Sequence, residues 1–340
     1  VQTSYDAALS LGPDGAVTAP DFKTAERLIR KALARAEKAQ SDISVQDALD
    51  ALPEWRGAGP ELRRNVHHHL NATLEQEYGG AIDELSVWYG DAAQEFGGGD
   101  ALFPDGFDQI PRYLAKGLDI RLSSPVARIA PGRVTLASGD TIAAGPIICT
   151  LPLGVLQAGT ITFDRALAPS RTAAIDNLGM GLLNKCWLRF DRIAWPKDVD
   201  WIEWLGPRRG EWAQWVSLAR GLGAPVLLGF HAAHQARALE ALDDRATIAA
   251  AQDALRAMFG SRFPAPVAAQ ITRWGRDPFS RGSYSFNATG TSARTRKALS
   301  GPDWDGALWF AGEACNPDYF GTAHGAVLSG RATALAILDG

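Results

Sequence analysis

The uninterrupted apolar run Pro146-Ile-Ile-Cys-Thr-Leu151 restricts the fold more than any other stretch of this chain. A strand with one wet face alternates apolar and polar residues, whereas a continuous run is the form of a strand covered on both faces, as in the parallel sheets of α/β proteins. A second short buried strand is predicted at Ala307-Leu-Trp-Phe-Ala311, followed by a Gly-Glu turn and a helix of small residues from Thr322 to Leu338. Strand, tight turn and helix in that order put a helix start at the carboxyl end of a sheet, where α/β folds bind their ligands.

The rest of the chain divides by period. Residues 1–95 read mostly as helix: Phe22, Ala25, Leu28, Ile29 and Leu33 recur at helical spacing in a segment from Ala19 to about Ala39. Ser41 or Ser44 caps a second helix striped by Val45, Ala48 and Leu49, and a third runs from about Pro60 to Tyr78 before Gly79-Gly80. Gly97-Gly98-Gly99 reads as a hinge, after which Asp119 to Ile129 alternates and Arg133 to Ile142 carries the Ser-Gly-Asp turn of a hairpin. From Ile161 to about Ile271, strands at Lys185–Phe190, Trp212–Leu218 and Val226–His231 mix with an amphipathic helix from Asp244 to Phe259.

Composition removes several function classes. The chain has 340 residues, 46% hydrophobic and 21% charged, which is a globular balance with room for two domains. Its 34 basic and 38 acidic side chains give no positive field for a nucleic-acid backbone or an anionic membrane, so neither is expected as a partner. Cys149, Cys186 and Cys315 stand too far apart for a CxxC pair. Apolar runs such as Gly145–Leu156 are too short and too broken to cross a bilayer, and no basic-then-apolar leader stands at residue 1; a cytoplasmic location is expected, with the periplasm left open. His67-His68-His69 cannot converge on one metal ion, because consecutive helical side chains point about 100° apart, and a solvated helix face is expected there; no metal is expected. No Gly-x-Ser-x-Gly elbow supports a hydrolase.

Four blocks in this order resemble the flavin-dependent amine oxidase family, which includes monoamine and polyamine oxidases and the lysine-specific histone demethylases. They are Cys149-Thr-Leu-Pro-Leu-Gly-Val-Leu156, Gly179-Met-Gly-Leu-Leu-Asn-Lys-Cys-Trp-Leu-Arg-Phe190, Arg273-Trp-Gly-Arg-Asp-Pro-Phe-Ser-Arg-Gly-Ser-Tyr-Ser285, and Phe310-Ala-Gly-Glu313 with Tyr319-Phe-Gly-Thr-Ala-His-Gly-Ala326. The resemblance covers roughly residues 95–340. It implies an α/β fold: a FAD-binding domain of the glutathione-reductase and amine-oxidase type, with an α+β substrate domain and a helical insertion. The expected division is 1–95 helical part of the substrate domain, 96–156 middle of the FAD-binding domain, 157–285 α+β substrate domain, and 286–340 the FAD-binding domain's C-terminal portion.

One departure stands out. The family opens with a strand, a Gly-x-Gly-x-x-Gly turn and a helix whose N-terminus holds the FAD pyrophosphate, and this sequence contains no such segment. By that resemblance the first βαβ unit is absent and the parallel sheet keeps an unpaired apolar edge. A second polypeptide, a separate subunit or the N-terminal piece of a cleaved precursor, is therefore expected to carry the glycine turn and complete a heteromer; a fragment is the alternative.

The resemblance also assigns roles. Lys185, on an alternating strand beside Trp187, is the catalytic candidate, holding a water against flavin N5; its other reading is an edge-strand lysine in solvent. Gly312 and Glu313 meet the ribityl and pyrophosphate side of FAD, although Glu313 could equally cap a helix. Thr322 and Ala323 open a bare first helical turn facing the flavin C2 carbonyl. Tyr319 forms one wall of an aromatic cage, with Trp274 in the other flavin-facing block and Phe320 as a neighbouring ring; core packing is the alternative for each. Val126 contacts the adenine through its backbone. Glu75 and Glu77 could supply a carboxylate to a substrate ammonium or simply end a solvated helix, and His324 stands at the flavin-side helix start. Cys315 lies before Tyr319 and outside the family's attachment pattern, so FAD is expected to be non-covalent. The implied reaction takes a small-molecule amine, transfers hydride from carbon to flavin N5, leaves an imine, and reduces molecular oxygen to hydrogen peroxide. A dehydrogenase or desaturase that does not use oxygen, or a non-catalytic subunit of a flavoprotein, are the rival readings.

Overall fold

The computed structural model describes Ser4 and residues 7–94, 96–99 and 101–339. Its largest sheet has six strands in the order Ala8–Leu11, Trp201–Trp204, Gln214–Ser217, Val226–Ala232, Leu183–Arg189, Ala268–Ile271. The first pair is parallel and the other pairs are antiparallel. Because strand side chains alternate, Cys186 and Leu188 join Trp212, Trp215 and Leu227 on one face, against Ala251, Leu255 and Met258 of the helix Asp244–Phe259. The opposite face carries Trp187, Trp201, Leu228 and Phe230.

The N-terminal region is helical with one exception. Asp21 caps Phe22–Ala36, Ser44 rather than Ser41 caps Val45–Asp50, and Pro60–Leu70 opens with its proline in the first turn. That last helix widens into a π-turn over Asn71–Glu75 before Gln76–Tyr78 and the left-handed Gly79, φ 66°. The exception is Ala8–Leu11, four residues too few to show a period, which become a strand by pairing with Trp201–Trp204. The helices share a core of Leu28, Leu49, Trp55 and Leu70 that also takes in Phe286 and Phe320 from the distant C-terminal part.

A smaller sheet centres on Leu308–Phe310, antiparallel to Gly301–Asp303 and parallel to Ile147–Cys149. The expectation that Ile147–Cys149 is covered on both faces is corrected: Ile148 is 38% exposed, and among the described residues the strand is paired along one edge only. Beside it lies a four-stranded sheet in the order Thr141–Ala143, Arg133–Leu136, Val126–Ala130, Thr162–Phe163, with the expected hairpin about Gly139. The alternation from Asp119 does not all become strand, since Ser123 takes a positive φ of 53° and turns the chain before Pro125. The helix Ala323–Leu338 leaves Val327, Leu328, Leu335 and Leu338 exposed. No helix among the described residues is long and apolar enough to cross a membrane.

Candidate active site

The four blocks meet around one cavity of about 280 Å³. Apart from Leu299, Ala314 and Cys315, every residue bordering it belongs to a block: Cys149 to Leu153 and Leu156, Met180, Ser280, Gly282 and Ser283, Phe310 to Glu313, and Ala326. Backbone pairing holds the blocks together, Gly181 N donating to the Tyr284 carbonyl and Ser283 N to the Gly181 carbonyl.

The C-terminal wall is built from tight backbone approaches. Thr322 caps Ala323–Leu338, its Oγ1 accepting from Gly325 N at 3.0 Å and donating to the Tyr319 carbonyl at 2.7 Å. A Cβ on Gly325 would stand 1.8 Å from the Tyr319 oxygen, so this turn admits only glycine. Gly312 has φ 143°, another conformation that side chains resist. Glu313 neither points freely at a ligand nor caps a helix. Its carboxylate accepts from Ser285 N, Ser285 Oγ and Gly321 N at 3.1, 2.8 and 2.6 Å, tying the third block to the turn before the last helix. Of this segment, Phe310 to Cys315 and Ala326 in the first turn of the last helix border the cavity, while Tyr319, Thr322 and Ala323 lie outside its lining; the small residues Ala311, Gly312, Ala314 and Ala326 leave room for a flat ring or its ribityl chain.

Lys185 and Trp274 are joined through a buried node. Asn184, 1% exposed, donates from Nδ2 to Glu240 Oε1 at 2.8 Å, and its Oδ1 accepts from Thr272 Oγ1 and Trp274 N at 3.0 and 3.1 Å. Thr272 Oγ1 accepts in turn from Lys185 N at 2.8 Å, and Gly275 N donates to Glu240 Oε1 at 2.8 Å. Lys185 is not an edge lysine in solvent: its strand is paired on both sides, its Nζ lies 5.9 Å from the centre of the Phe230 ring, and burial lowers its pKa. Phe230 stacks on Trp201 at 6.0 Å, and Trp187 shares that face. Trp201 and Phe230 were not singled out in the sequence; Phe230 is the cross-strand partner of Lys185, and Trp201 comes from a strand that pairs with Ala8–Leu11 and Gln214–Ser217 instead, so only the folded sheet brings it near.

The remaining candidates divide. Tyr319 stacks under Phe96 at 4.9 Å with rings 7° from parallel, and His324 meets both rings edge-on at 5.1 and 4.8 Å. Phe320 is not brought to that group: it is 2% exposed, 3.8 Å beneath the Arg296 guanidinium, and packs on Tyr78. Trp274 is 42% exposed, and Val126 begins a strand packed on the core of Ile129 and Leu153, outside the cavity. Glu75 is buried and held by Arg209 at 2.7 Å, Asn71 and Ile82 N, whereas Glu77 stays exposed. The expected solvated face at His67–His69 is overturned, because imidazoles have apolar faces: His68 is buried and stacks on Phe22 at 5.6 Å, and His67 meets the Trp55 ring at 5.2 Å.

Residues 9–338 match the family model described as flavin containing amine oxidoreductase. Polyamine oxidase 4 of Oryza sativa subsp. japonica is 31% identical over 327 residues, 92% of this chain and 64% of that protein. Probable polyamine oxidase 4 of Arabidopsis thaliana is 33% identical over 303 residues, 86% of this chain and 60% of that protein. Lysine-specific histone demethylase 1 homolog 1 of Oryza sativa subsp. japonica is 34% identical over 310 residues, 87% of this chain and 36% of that protein. This chain thus spans less than two thirds of the length of each. Among solved structures, a putrescine oxidase double mutant with redesigned cofactor binding superposes with TM-score 0.71 at 18% identity, over all of this chain and 82% of that one, which shows the fold. The chain belongs to the flavin containing amine oxidoreductase family.

Proposed function

We propose that this chain builds the ring side of a FAD-dependent amine oxidase acting on small amines, with molecular oxygen as electron acceptor and hydrogen peroxide as product. The convergence of all four blocks on one cavity carries this reading. Bound FAD, held non-covalently, supplies the redox step by taking a hydride from the carbon beside the amine nitrogen.

The chain's own residues do the rest. Lys185, with a lowered pKa, holds or moves a proton at its Nζ, and Asn184 and Thr272 fix the backbone that carries it. Trp187, Trp201 and Phe230 give the substrate a dry wall, which favours the neutral amine over the ammonium form. Thr322 and Ala323 place backbone N–H groups where negative charge builds, Gly312, whose N–H is donated to Ser329 Oγ, lets the backbone approach the cofactor closely, and Tyr319, Trp274 and the Val126 backbone border the cofactor and substrate space. The division into residues 1–95, 96–156, 157–285 and 286–340 describes how substrate and cofactor parts alternate along the chain. The free edge of Ile147–Cys149 and the exposed apolar side of Ala323–Leu338 take the glycine-turn βαβ unit from a second polypeptide.

The test is the native complex, with every polypeptide identified by intact mass. It is expected to show flavin absorbance that an amine bleaches without oxygen and that oxygen restores with peroxide release. A colourless complex overturns the reading in favour of a non-catalytic subunit, and bleaching that oxygen does not reverse favours a dehydrogenase. Lys185→Met is expected to slow reduction or reoxidation at least ten-fold; wild-type rates for both would remove the lysine from the chemistry.

A further inference from the structure

A second cavity, of about 240 Å³, lies between the helix Pro60–Leu70 and the loop 205–210 and shares no lining residue with the first. Arg63, Arg64, His67 and His68 reach it from one helical face, and Arg208 and Arg209 from the loop. The loop is pinned: Arg209 donates to Glu75 at 2.7 Å, and Gly210, φ +65°, comes so close that a Cβ would stand 2.9 Å from Asn71 Nδ2.

Four arginines on one cleft reverse the sign of a chain whose acids outnumber its bases. Arg209 is tied to the buried Glu75, whereas Arg208 meets Glu211 in a pair whose arginine side is 76% exposed, so water screens it and an anion can compete for the guanidinium. Arg63 has no carboxylate; it donates to the carbonyls of Ala58, Trp55 and Arg56 and lies over the Trp55 ring. Arg64 makes no ion pair or hydrogen bond among the described residues. His68 is 5% exposed, yet its Nε2 makes no hydrogen bond, and Glu203 Oε1 is 3.9 Å away. A buried imidazole nitrogen that Glu203 reaches only at ion-pair distance, beside Arg63 and Arg64 with no carboxylate, is an incomplete site, and an oxyanion supplies both the hydrogen-bond acceptor and the charge it lacks. An amine would be repelled here, so this cleft is separate from the proposed reaction.

We propose that this cleft binds an oxyanion of the phosphate class, held by Arg64 and Arg208 with an imidazole of the His67–His68 pair donating to it. The field in the cleft gives a readout. Burial, then Arg209 and Arg63, lower the His67 pKa to about 4 against a small opposing effect of Asp50. An anion beside it stabilises the imidazolium and moves that value up.

The experiment is histidine-selective NMR of the full chain, titrated with inorganic phosphate at constant ionic strength, with phosphoserine and a nucleoside monophosphate as parallel arms. Saturable shifts of His67 and a rise of its pKa by one unit or more are expected. Tightest binding by phosphate identifies a free ion, and tightest binding by either ester a phosphorylated ligand. Arg64→Gln and the exposed Arg208→Gln should each weaken binding at least five-fold without changing the thermal midpoint. Shifts that chloride reproduces at equal ionic strength, no saturation, or unchanged affinity in both variants would overturn the proposal.

Discussion

Removing the Asn184 side chain tests whether the buried node holds Lys185 and Trp274 in place. Asn184→Ala deletes a buried donor to the Glu240 carboxylate and the acceptor shared by the part-buried Thr272 Oγ1 and Trp274 N. A neutral hydrogen bond contributes about 1 kcal/mol net and one to a carboxylate about 2 kcal/mol, which makes the expected loss about 4 kcal/mol. At about 2 cal/mol/K per residue of unfolding entropy, a chain of 340 residues should lose about 6 °C of thermal midpoint, read by calorimetry. Asn184→Asp keeps the shape and the acceptor but sets a second carboxylate against Glu240. The new group's folded pKa is raised by repulsion and burial, so its stabilising donor is present at low pH and lost as pH rises through that pKa. The aspartate variant should therefore approach wild type as the solution is acidified, and the alanine variant should not. An alanine variant that melts within 1 °C of wild type would refute the reasoning.

Other outcomes follow from single contacts. Gly325→Ala must move the Tyr319 carbonyl or the helix start, because the new methyl would stand 1.8 Å from that oxygen; a loss of about 2 kcal/mol or more is expected in urea unfolding, together with weaker flavin retention by the native complex. His231 is wholly buried, and burial lowers its pKa to about 3, so the folded state stays neutral where the unfolded chain, at about 6.5, takes up a proton. Stability should fall as pH drops from about 6.5 towards 3, by up to about 5 kcal/mol, and urea midpoints at pH 7 and 4 should converge in His231→Gln relative to wild type.

What could be read from the residues were features fixed by local sterics. The helix Asp244–Phe259 and the strand Leu183–Arg189 announce themselves by period, and Thr322 with the small residues after it announces a helix start that a backbone must approach closely. The family blocks likewise could be read as strings, and each contributes at least one residue to the cavity, from Met180 alone in the second block to Phe310–Glu313 in the fourth. Pairings between segments far apart in sequence left no such mark. Nothing near Asn184 points to Glu240, and nothing near Tyr319 points to Phe96, because each contact exists only after the sheet and the hinge region come together.

The misread histidines show the same limit from the other side. Helical geometry correctly forbids three consecutive side chains from sharing an ion, but polarity alone does not decide that they face water. His68 is buried because Phe22, on another helix, offers its face to the ring, and His67 is half-buried where Trp55 meets it edge-on. Once those rings are covered, the polar edges that remain stand beside four arginines, and the tract first dismissed as solvated surface becomes one wall of a charged cleft. The functional content of a polar tract thus depends on which of its faces the neighbouring helix consumes, a property of the packed pair and of neither sequence alone.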